Sequence, residues 1–141
     1  MRWTIKKLET IEEMEGMLYL IRELTPDLNE DSYKKMLTEM IPYNYFQVAV
    51  FDGEKPVAVS GYWIATKIYC GKYIEIDNFV VAKEYRSQNI GKLLVDWMLN
   101  EARSSGCQTA LLDAYVENFK AHRFYYREGF IARGFHYLKK L

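Results

Sequence analysis

The stretch from Ile74 to Gly91 constrains the fold more than any other part of the chain, because it predicts a strand, a short loop and a helix start in direct succession. Residues 74–81 are apolar and β-branched with interleaved polar residues, a pattern typical of a half-buried strand. From Ile90 onward the apolar residues recur at a helical period. The first N–H groups of a helix lack partners within the helix and carry the positive end of its dipole. The loop is therefore a candidate phosphate site.

Cationic side chains at the loop strengthen this interpretation. Arg86 and Lys92 bracket the predicted helix start, and such side chains form charge-assisted hydrogen bonds with phosphate oxygens. Taken alone, a basic loop is better explained as a solvated turn. The candidate phosphate ligands are Arg86, Ser87, Gln88, Asn89, Ile90, Gly91 and Lys92.

The loop resembles the acyl-CoA pyrophosphate loop of the GCN5-related N-acetyltransferases, the GNAT superfamily. That loop reads Arg or Gln, two residues, Gly, one residue, then Gly or Ala. Arg86 and Gly91 match it with the right spacing, and Asn89 stands where the first glycine is usual. Asn is the residue that, after glycine, best tolerates left-handed backbone angles. The departure therefore weakens the match without breaking it.

A second motif lies downstream, about a helix and a strand away. Residues 118–130 resemble the family pattern Asn-x-x-Ala-x-x-Phe-Tyr-x-x-x-Gly-Phe with every anchor present. The anchors are Asn118, Ala121, Phe124, Tyr125, Gly129 and Phe130. Two motifs in the family's order imply one GNAT domain over residues 1–141, and the C-terminal part resembles a small-molecule acetylating branch.

Composition limits the classes of partner. The chain has 141 residues, half of them hydrophobic, with a formal net charge of zero, which favours one globular domain without a nucleic-acid or membrane partner. No apolar run approaches the roughly 20 residues that span a bilayer, and no signal peptide is visible. Cys70 and Cys107 lack metal-ligand spacing, so we expect two reduced thiols in a cytoplasmic protein.

Hydrophobic periodicity and turn residues give the element order β-α-α-β-β-β-α-β-α-β, an α/β sandwich around a mixed central sheet flanked by helices. Thr10 and Glu13 form a capping-box pattern at the first helix. The predicted helices occupy residues 10–24, about 30–40, 90–105 and 118–128. The predicted strands occupy residues 2–9, 46–51, 57–65, 74–81 and 108–114, with one or two more in 130–138. The resemblance implies that the fourth and fifth strands run parallel and splay apart.

The resemblance also implies acetyl-CoA as a co-substrate and no metal. Its pantetheine arm would add to the exposed edge of strand 74–81, as an extended ligand pairs with a strand. The contacts expected there are the backbone groups of Phe79, Val80 and Val81. Asn118 begins the last helix and can cap it, and by resemblance its amide also reaches the pantetheine.

Acetyl transfer to an amine requires removal of a proton. An alkylamine with a pKa near 10.4 is neutral for roughly one molecule in 2,500 at pH 7, a handicap of about 4.6 kcal/mol. Glu75 and Asp77 are two residues apart on the key strand and therefore share a face. By resemblance Glu75, eleven residues before Arg86, is the preferred base. Asp77 and a water chain without a single base stay open.

Tyr125 is, by resemblance, the acid that protonates or hydrogen-bonds the leaving thiolate. A core tyrosine is the structural alternative, and the adjacent Tyr126 is a rival. His122 and His136 lack the partners that a metal or nucleophilic role would need. Direct attack by the amine needs no acyl-enzyme, which leaves no role for a cysteine nucleophile.

The acceptor is the least constrained part of the prediction. Acids among aromatic residues would suit a small cationic amine, although the acids could equally cap the second helix. The residues concerned are Asp27, Glu30, Asp31, Tyr43, Tyr45, Trp63 and Tyr69. A small amine is preferred to a protein N-terminus or lysine as acceptor, and the aromatic C-terminus would support a homodimer. The alternatives to an enzyme are a catalytically silent acyl-CoA sensor and a nucleotide-binding domain, the latter without the expected glycine-rich motifs.

Overall fold

A computed structural model describes residues 2–141, which form five strands and five α-helices. The strands are β1 (Trp3–Lys7), β2 (Tyr45–Asp52), β3 (Lys55–Lys67), β4 (Gly71–Val81) and β5 (Thr109–Leu112). The helices are α1 (Ile11–Glu15), α2 (Leu18–Ile21), α3 (Glu30–Met40), α4 (Ile90–Ser104) and α5 (Phe119–Arg127). The chain divides into two compact units, Met1–Leu111 and Leu112–Leu141.

The strands form one mixed sheet in the order β1-β2-β3-β4-β5. The first four strands pair antiparallel with one another. The fifth, β5, runs parallel to β4. The N–H of Gln108 donates to the carbonyl of Lys72 at 2.7 Å, which joins the start of β5 to the start of β4. The predicted α/β sandwich with a mixed sheet is therefore confirmed.

Local signals place most element ends correctly. The Thr10 hydroxyl accepts from the N–H of Glu13, and the Glu13 carboxylate accepts from the N–H of Thr10, so the predicted capping box is present. The hairpin between β2 and β3 turns at Gly53, which has the positive φ of 64° that favours glycine. Gly106, with φ of 81°, follows the end of α4 as expected for a helix C-terminus.

The predicted helix over residues 10–24 is wrong in its continuity. α1 ends at Glu15 with Gly16 as its C-cap, and α2 begins at Leu18 after the N-cap Met17. Glycine is a poor helix former because it loses more backbone freedom than other residues. Met14, Met17 and Leu20 all reach the interior, where each is at most 5% exposed.

The two faces of the sheet are covered by different helices. One face packs against α1, α2 and α3 through a cluster that includes Leu20, Leu37 and Val59. The other face packs against α4, whose Leu94 and Met98 are fully buried. Alternate residues of a strand face opposite sides of the sheet. The position of a residue along β4 therefore decides whether its side chain faces α1, α2 and α3 or faces α4.

The strands predicted within residues 130–138 are also wrong. The structure describes all of residues 130–141, and they form no helix or strand. Ile131, Phe135 and Tyr137 are at least 72% exposed. Alternation of apolar residues marks a segment that can form a strand, but a strand also needs a neighbouring edge with which to exchange hydrogen bonds.

Candidate active site

The predicted phosphate loop has a left-handed backbone at two positions. Ser87 and Asn89 both have φ of 63°, and α4 begins directly afterwards at Ile90. Left-handed residues next to right-handed or extended ones turn successive N–H groups into a concave anion site. Asn89 therefore adopts the conformation for which the family motif uses glycine. This backbone, together with the start of a 15-residue helix, fits a pyrophosphate.

Arg86 is held at the rim of this loop. Its Nε donates to the carbonyl of Val81 at 3.1 Å, and one terminal nitrogen lies 3.6 Å from a carboxylate oxygen of Glu23. Both side chains are partly exposed, so the ion pair is weak and an anionic ligand can replace the carboxylate. Lys92 lies one turn from Asp96 and pairs with it at 3.4 Å.

Glu75 and Asp77 lie on the sheet face that α1, α2 and α3 cover. Glu75 is opposite Trp63, which is opposite Tyr45, and the three residues form one row across β4, β3 and β2. The rings of Tyr45 and Trp63 are 4.9 Å apart. Both carboxylates are half-buried. The structure therefore brings together the two base candidates predicted from the sequence.

Asp77 is fixed by donors on both sides. Its Oδ2 accepts from the indole N–H of Trp63 at 3.0 Å, and its Oδ1 accepts from the backbone N–H of Asn78 at 2.9 Å. Asn78 has φ of 54°, and Asn78 and Phe79 together stand opposite the single residue Ser60, since Asp77 pairs with Gly61 and Val80 with Val59. This is a β-bulge. The bulge includes Phe79, the first residue of the backbone segment Phe79–Val81 that is predicted to meet the pantetheine.

Asn118 and Tyr125 belong to α5, in the second unit. Asn118 caps the helix as predicted, because its Oδ1 accepts from the N–H of Ala121 at 3.2 Å. Tyr125 packs edge-on against Phe130 with ring centroids 5.9 Å apart. Burial raises the pKa of Tyr125 to about 12. Its hydroxyl therefore stays protonated at neutral pH, as a proton donor must be.

The contacts that the histidines and cysteines make are structural. A ring nitrogen of His122 lies 2.9 Å from the carbonyl of Tyr115, and His136 pairs with the Asp113 carboxylate at 3.2 Å. Cys70 and Cys107 are free, and burial raises the pKa of the Cys107 thiol, which disfavours the thiolate. Within residues 2–141 no three His, Cys, Asp or Glu side chains are grouped as metal ligands.

Five of the seven acceptor residues predicted from the sequence separate into three groups. Glu30 and Asp31 lie in the first turn of α3, whose N-cap is Asn29. Their position is the one expected if these acids stabilise the start of the helix rather than bind the acceptor. Tyr43 and Tyr69 are at least 75% exposed, whereas Tyr45 is only 2% exposed and cannot line an open surface. A cavity of about 420 Å³ opens among α1, α2 and α3. Its polar lining residues include Glu15, Arg22 and Glu30.

The bulge and its supports were not predicted, although the sequence holds two signals for them. Asp and Asn are depleted in strands, so the Asp77-Asn78 pair in the middle of one marks an irregularity. A glycine inside a strand, such as Gly61, marks a bulge or a close approach. At Gly61 an added Cβ would lie 2.3 Å from the Tyr45 hydroxyl.

Known proteins share both the sequence pattern and the fold. Residues 11–130 match the model of the acetyltransferase (GNAT) family. The aminoalkylphosphonate N-acetyltransferase of Salmonella typhimurium is 29% identical, over 94% of this chain and 88% of that protein. The glucosamine 6-phosphate N-acetyltransferase of Arabidopsis thaliana is 27% identical, over 81% of this chain and 82% of its own. The crystal structure of an Arabidopsis glucosamine-6-phosphate N-acetyltransferase superposes with a TM-score of 0.78 at 25% identity, covering 98% of this chain and 97% of the other.

The mixed sheet flanked by helices and these matches define a GNAT acetyltransferase fold. The chain belongs to the GNAT family of acetyltransferases. It is an acetyl-CoA-dependent N-acetyltransferase.

Proposed function

We propose that this enzyme moves the acetyl group of acetyl-CoA to the primary amine of a small molecule, by direct attack in a ternary complex. The observation that carries the proposal is the direct succession of two half-buried carboxylates on β4, a bulge, and a left-handed loop at the start of α4. The first group can accept a proton and the last can hold a pyrophosphate. Both belong to the same compact unit.

The loop residues Arg86–Lys92 hold the pyrophosphate, through the N–H groups at the start of α4 and through the side chains of Arg86 and Lys92. The backbone of Phe79–Val81 pairs with the pantetheine arm, and the Asn118 amide is the other group that we assign to it. When bound, acetyl-CoA supplies a thioester, whose thiol has a pKa of about 8.5 and leaves readily.

The protein's own groups handle the protons. Glu75 takes a proton from the amine nitrogen as the N–C bond forms and the C–S bond breaks, and Tyr125 gives a proton to the departing sulfur. Asp77 orients the site instead, because each of its oxygens already accepts a bond from an N–H group.

The acceptor that we propose is a small amine that also carries an anionic group. The named substrates of the two relatives, glucosamine 6-phosphate and aminoalkylphosphonate, each combine an amine with a phosphorus oxyanion. Acids and an arginine meet in the cavity among α1, α2 and α3, a lining that complements both charges. A protein N-terminus or lysine ranks second.

An amine panel tests this proposal through thiol release from acetyl-CoA. The panel contains glucosamine 6-phosphate, an aminoalkylphosphonate, unphosphorylated glucosamine and a lysine peptide. We expect the first two to give the highest kcat/KM, at least about tenfold above glucosamine, because a charge-assisted hydrogen bond contributes roughly 1.5–3 kcal/mol. Preference for the peptide would contradict the small-molecule assignment. Acetyl-CoA binding without release for any amine would instead identify the silent sensor, which the relatives' activities do not favour.

Replacing Arg86 with Ala tests the cofactor loop. We expect KM for acetyl-CoA to rise about 10- to 100-fold while kcat changes little, since the pyrophosphate is remote from the reacting carbon. Lys83→Ala is the matched control, because it removes a nearby cation just before the loop. A collapse of kcat with unchanged KM would show that the loop is misplaced.

A homodimer and a cytoplasmic location complete the proposal. The exposed Ile131, Phe135 and Tyr137 of the C-terminal segment support self-association, and light scattering should then give twice the 16.7 kDa chain mass. The free Cys70 and Cys107 are in keeping with a reducing compartment. A monomer by light scattering, or recovery of the protein outside the cytoplasmic fraction, would refute the respective assignment.

A further inference from the structure

The bulge in β4 requires support from the rest of the fold. Asn78 has φ of 54°, a conformation that an L-residue adopts only at a cost in free energy. Two contacts lie close to it: the Asn78 N–H donates to Oδ1 of the adjacent Asp77, and the hydroxyl of Ser60 on the neighbouring strand β3 lies 3.3 Å from the Asp77 carbonyl. A third contact comes from far along the chain.

That third contact is made by Tyr45. Its hydroxyl donates to Asn78 Oδ1 at 3.1 Å, across β3 from β2 to β4. The hydroxyl crosses at Gly61, where an added Cβ would lie 2.3 Å from it. Any side chain at position 61 would therefore block this contact. Gly61 thus leaves the space through which the Tyr45 hydroxyl reaches the bulge.

The Tyr45 hydroxyl is itself held by a chain of buried hydrogen bonds, which we call the Tyr45 relay: Tyr33, Gln47, Tyr45 and Asn78. Gln47 Nε2 donates to the hydroxyls of Tyr45 at 3.0 Å and Tyr33 at 2.9 Å, and Tyr33 donates to the carbonyl of Met14 at 3.0 Å. Both amide hydrogens of Gln47 are thus donated, and the hydroxyl of each tyrosine donates its own hydrogen to the next acceptor. Tyr33, Gln47 and Tyr45 are at most 6% exposed.

The direction of every bond in the relay is therefore fixed. Met14 belongs to α1 and Tyr33 to α3, so the relay ties the helical layer to the bulge. Gln47 Oε1 is buried without a hydrogen-bond partner, a cost in free energy. Since a hydrophobic residue would avoid this cost, packing alone does not account for a glutamine at this position.

We propose that Tyr45 is a positioning residue for acetyl transfer: the relay sets the β4 bulge, and the bulge sets the Asp77 carboxylate and the backbone of Phe79–Val81. This inference rests on the proposed function, which puts the pantetheine arm against that backbone. Tyr45 touches neither substrate. It acts through Asn78.

The test compares Tyr45→Phe with Tyr62→Phe. Both tyrosines are at most 2% exposed, but the Tyr62 hydroxyl contacts Glu101, at 3.5 Å, away from the bulge. At a temperature where both variants are folded, Tyr45→Phe should lower kcat by about tenfold, the effect of losing one buried hydrogen bond, with a smaller change in KM for acetyl-CoA. Tyr62→Phe should stay within about twofold of the wild type.

A second variant tests the route through Asn78. Glycine adopts a positive φ freely, so Asn78→Gly keeps the bulge without the side chain. Adding Tyr45→Phe to Asn78→Gly should then change kcat by less than about twofold, because the two residues act as a unit. A full additional tenfold loss would overturn the relay.

Amide hydrogen exchange gives a readout that does not depend on activity. Exchange in residues 77–81 should accelerate in Tyr45→Phe and not in Tyr62→Phe. Absence of thiol release from the wild type would reject the proposed function. Hydrogen exchange in the variants would still test the relay. Wild-type kcat together with unchanged exchange in Tyr45→Phe would reject the relay alone.

Discussion

Replacing Glu75 with Gln should lower kcat by roughly 10²- to 10⁴-fold, the usual contribution of a general base, with KM for acetyl-CoA nearly unchanged. The change preserves the shape of the side chain and removes the carboxylate that we propose as acceptor of the amine proton. Glu75 is half-buried in the row formed with Trp63 and Tyr45. Steady-state thiol release at saturating acetyl-CoA measures the effect.

The pH dependence of the same variant gives an independent check. Below the amine pKa of about 10.4 the fraction of neutral amine rises about tenfold per pH unit. Without its base the variant can use only amine that is already neutral, so its rate should rise with that slope. The wild type should rise less steeply above neutral pH.

Asp77→Asn is the comparison that separates the two carboxylates. It puts an NH₂ group opposite either the Trp63 indole or the Asn78 N–H, so we expect a moderate loss from a disturbed bulge. A collapse in Asp77→Asn with near-normal activity in Glu75→Gln would make Asp77 the base. Near-normal activity in both variants would favour a water chain.

Replacing Tyr125 with Phe should lower kcat by roughly 10²-fold, at the lower end for an acid catalyst because a thiolate leaves readily. The pKa of Tyr125, raised to about 12 by burial, keeps the proton available throughout the working range. Ionisation of this hydroxyl should therefore cause no fall in rate below about pH 11.

Tyr126→Phe is the matched control for this variant. Tyr126 is the next residue on α5 and is 57% exposed. It should retain near wild-type kcat. An equal loss in both variants, or a loss confined to Tyr126→Phe, would remove Tyr125 from the role of acid.

The parts of this site that could be predicted are those fixed by neighbouring residues. Asn89 tolerates a left-handed backbone, so its place in the loop follows from its own chemistry, and Thr10 and Glu13 cap α1 through contacts three residues apart. The position of Glu75 and Asp77 on the same face of the sheet follows from strand geometry.

The parts that could not be predicted depend on distant residues. The Tyr45 hydroxyl contacts Asn78 at the bulge from 33 residues away in sequence, through the space that Gly61 leaves open. No local pattern encodes such a contact. The strands expected in residues 130–138 are absent, and alternation of apolar residues does not by itself specify the partner with which a strand exchanges hydrogen bonds.

Calorimetric titration of the purified protein with acetyl-CoA and with ATP tests the central claim, that residues Arg86–Lys92 hold the pyrophosphate of an acetyl donor. We predict sub-millimolar binding of acetyl-CoA and no measurable binding of ATP. Failure to bind acetyl-CoA, or equal affinity for the two ligands, would contradict the assignment of this loop.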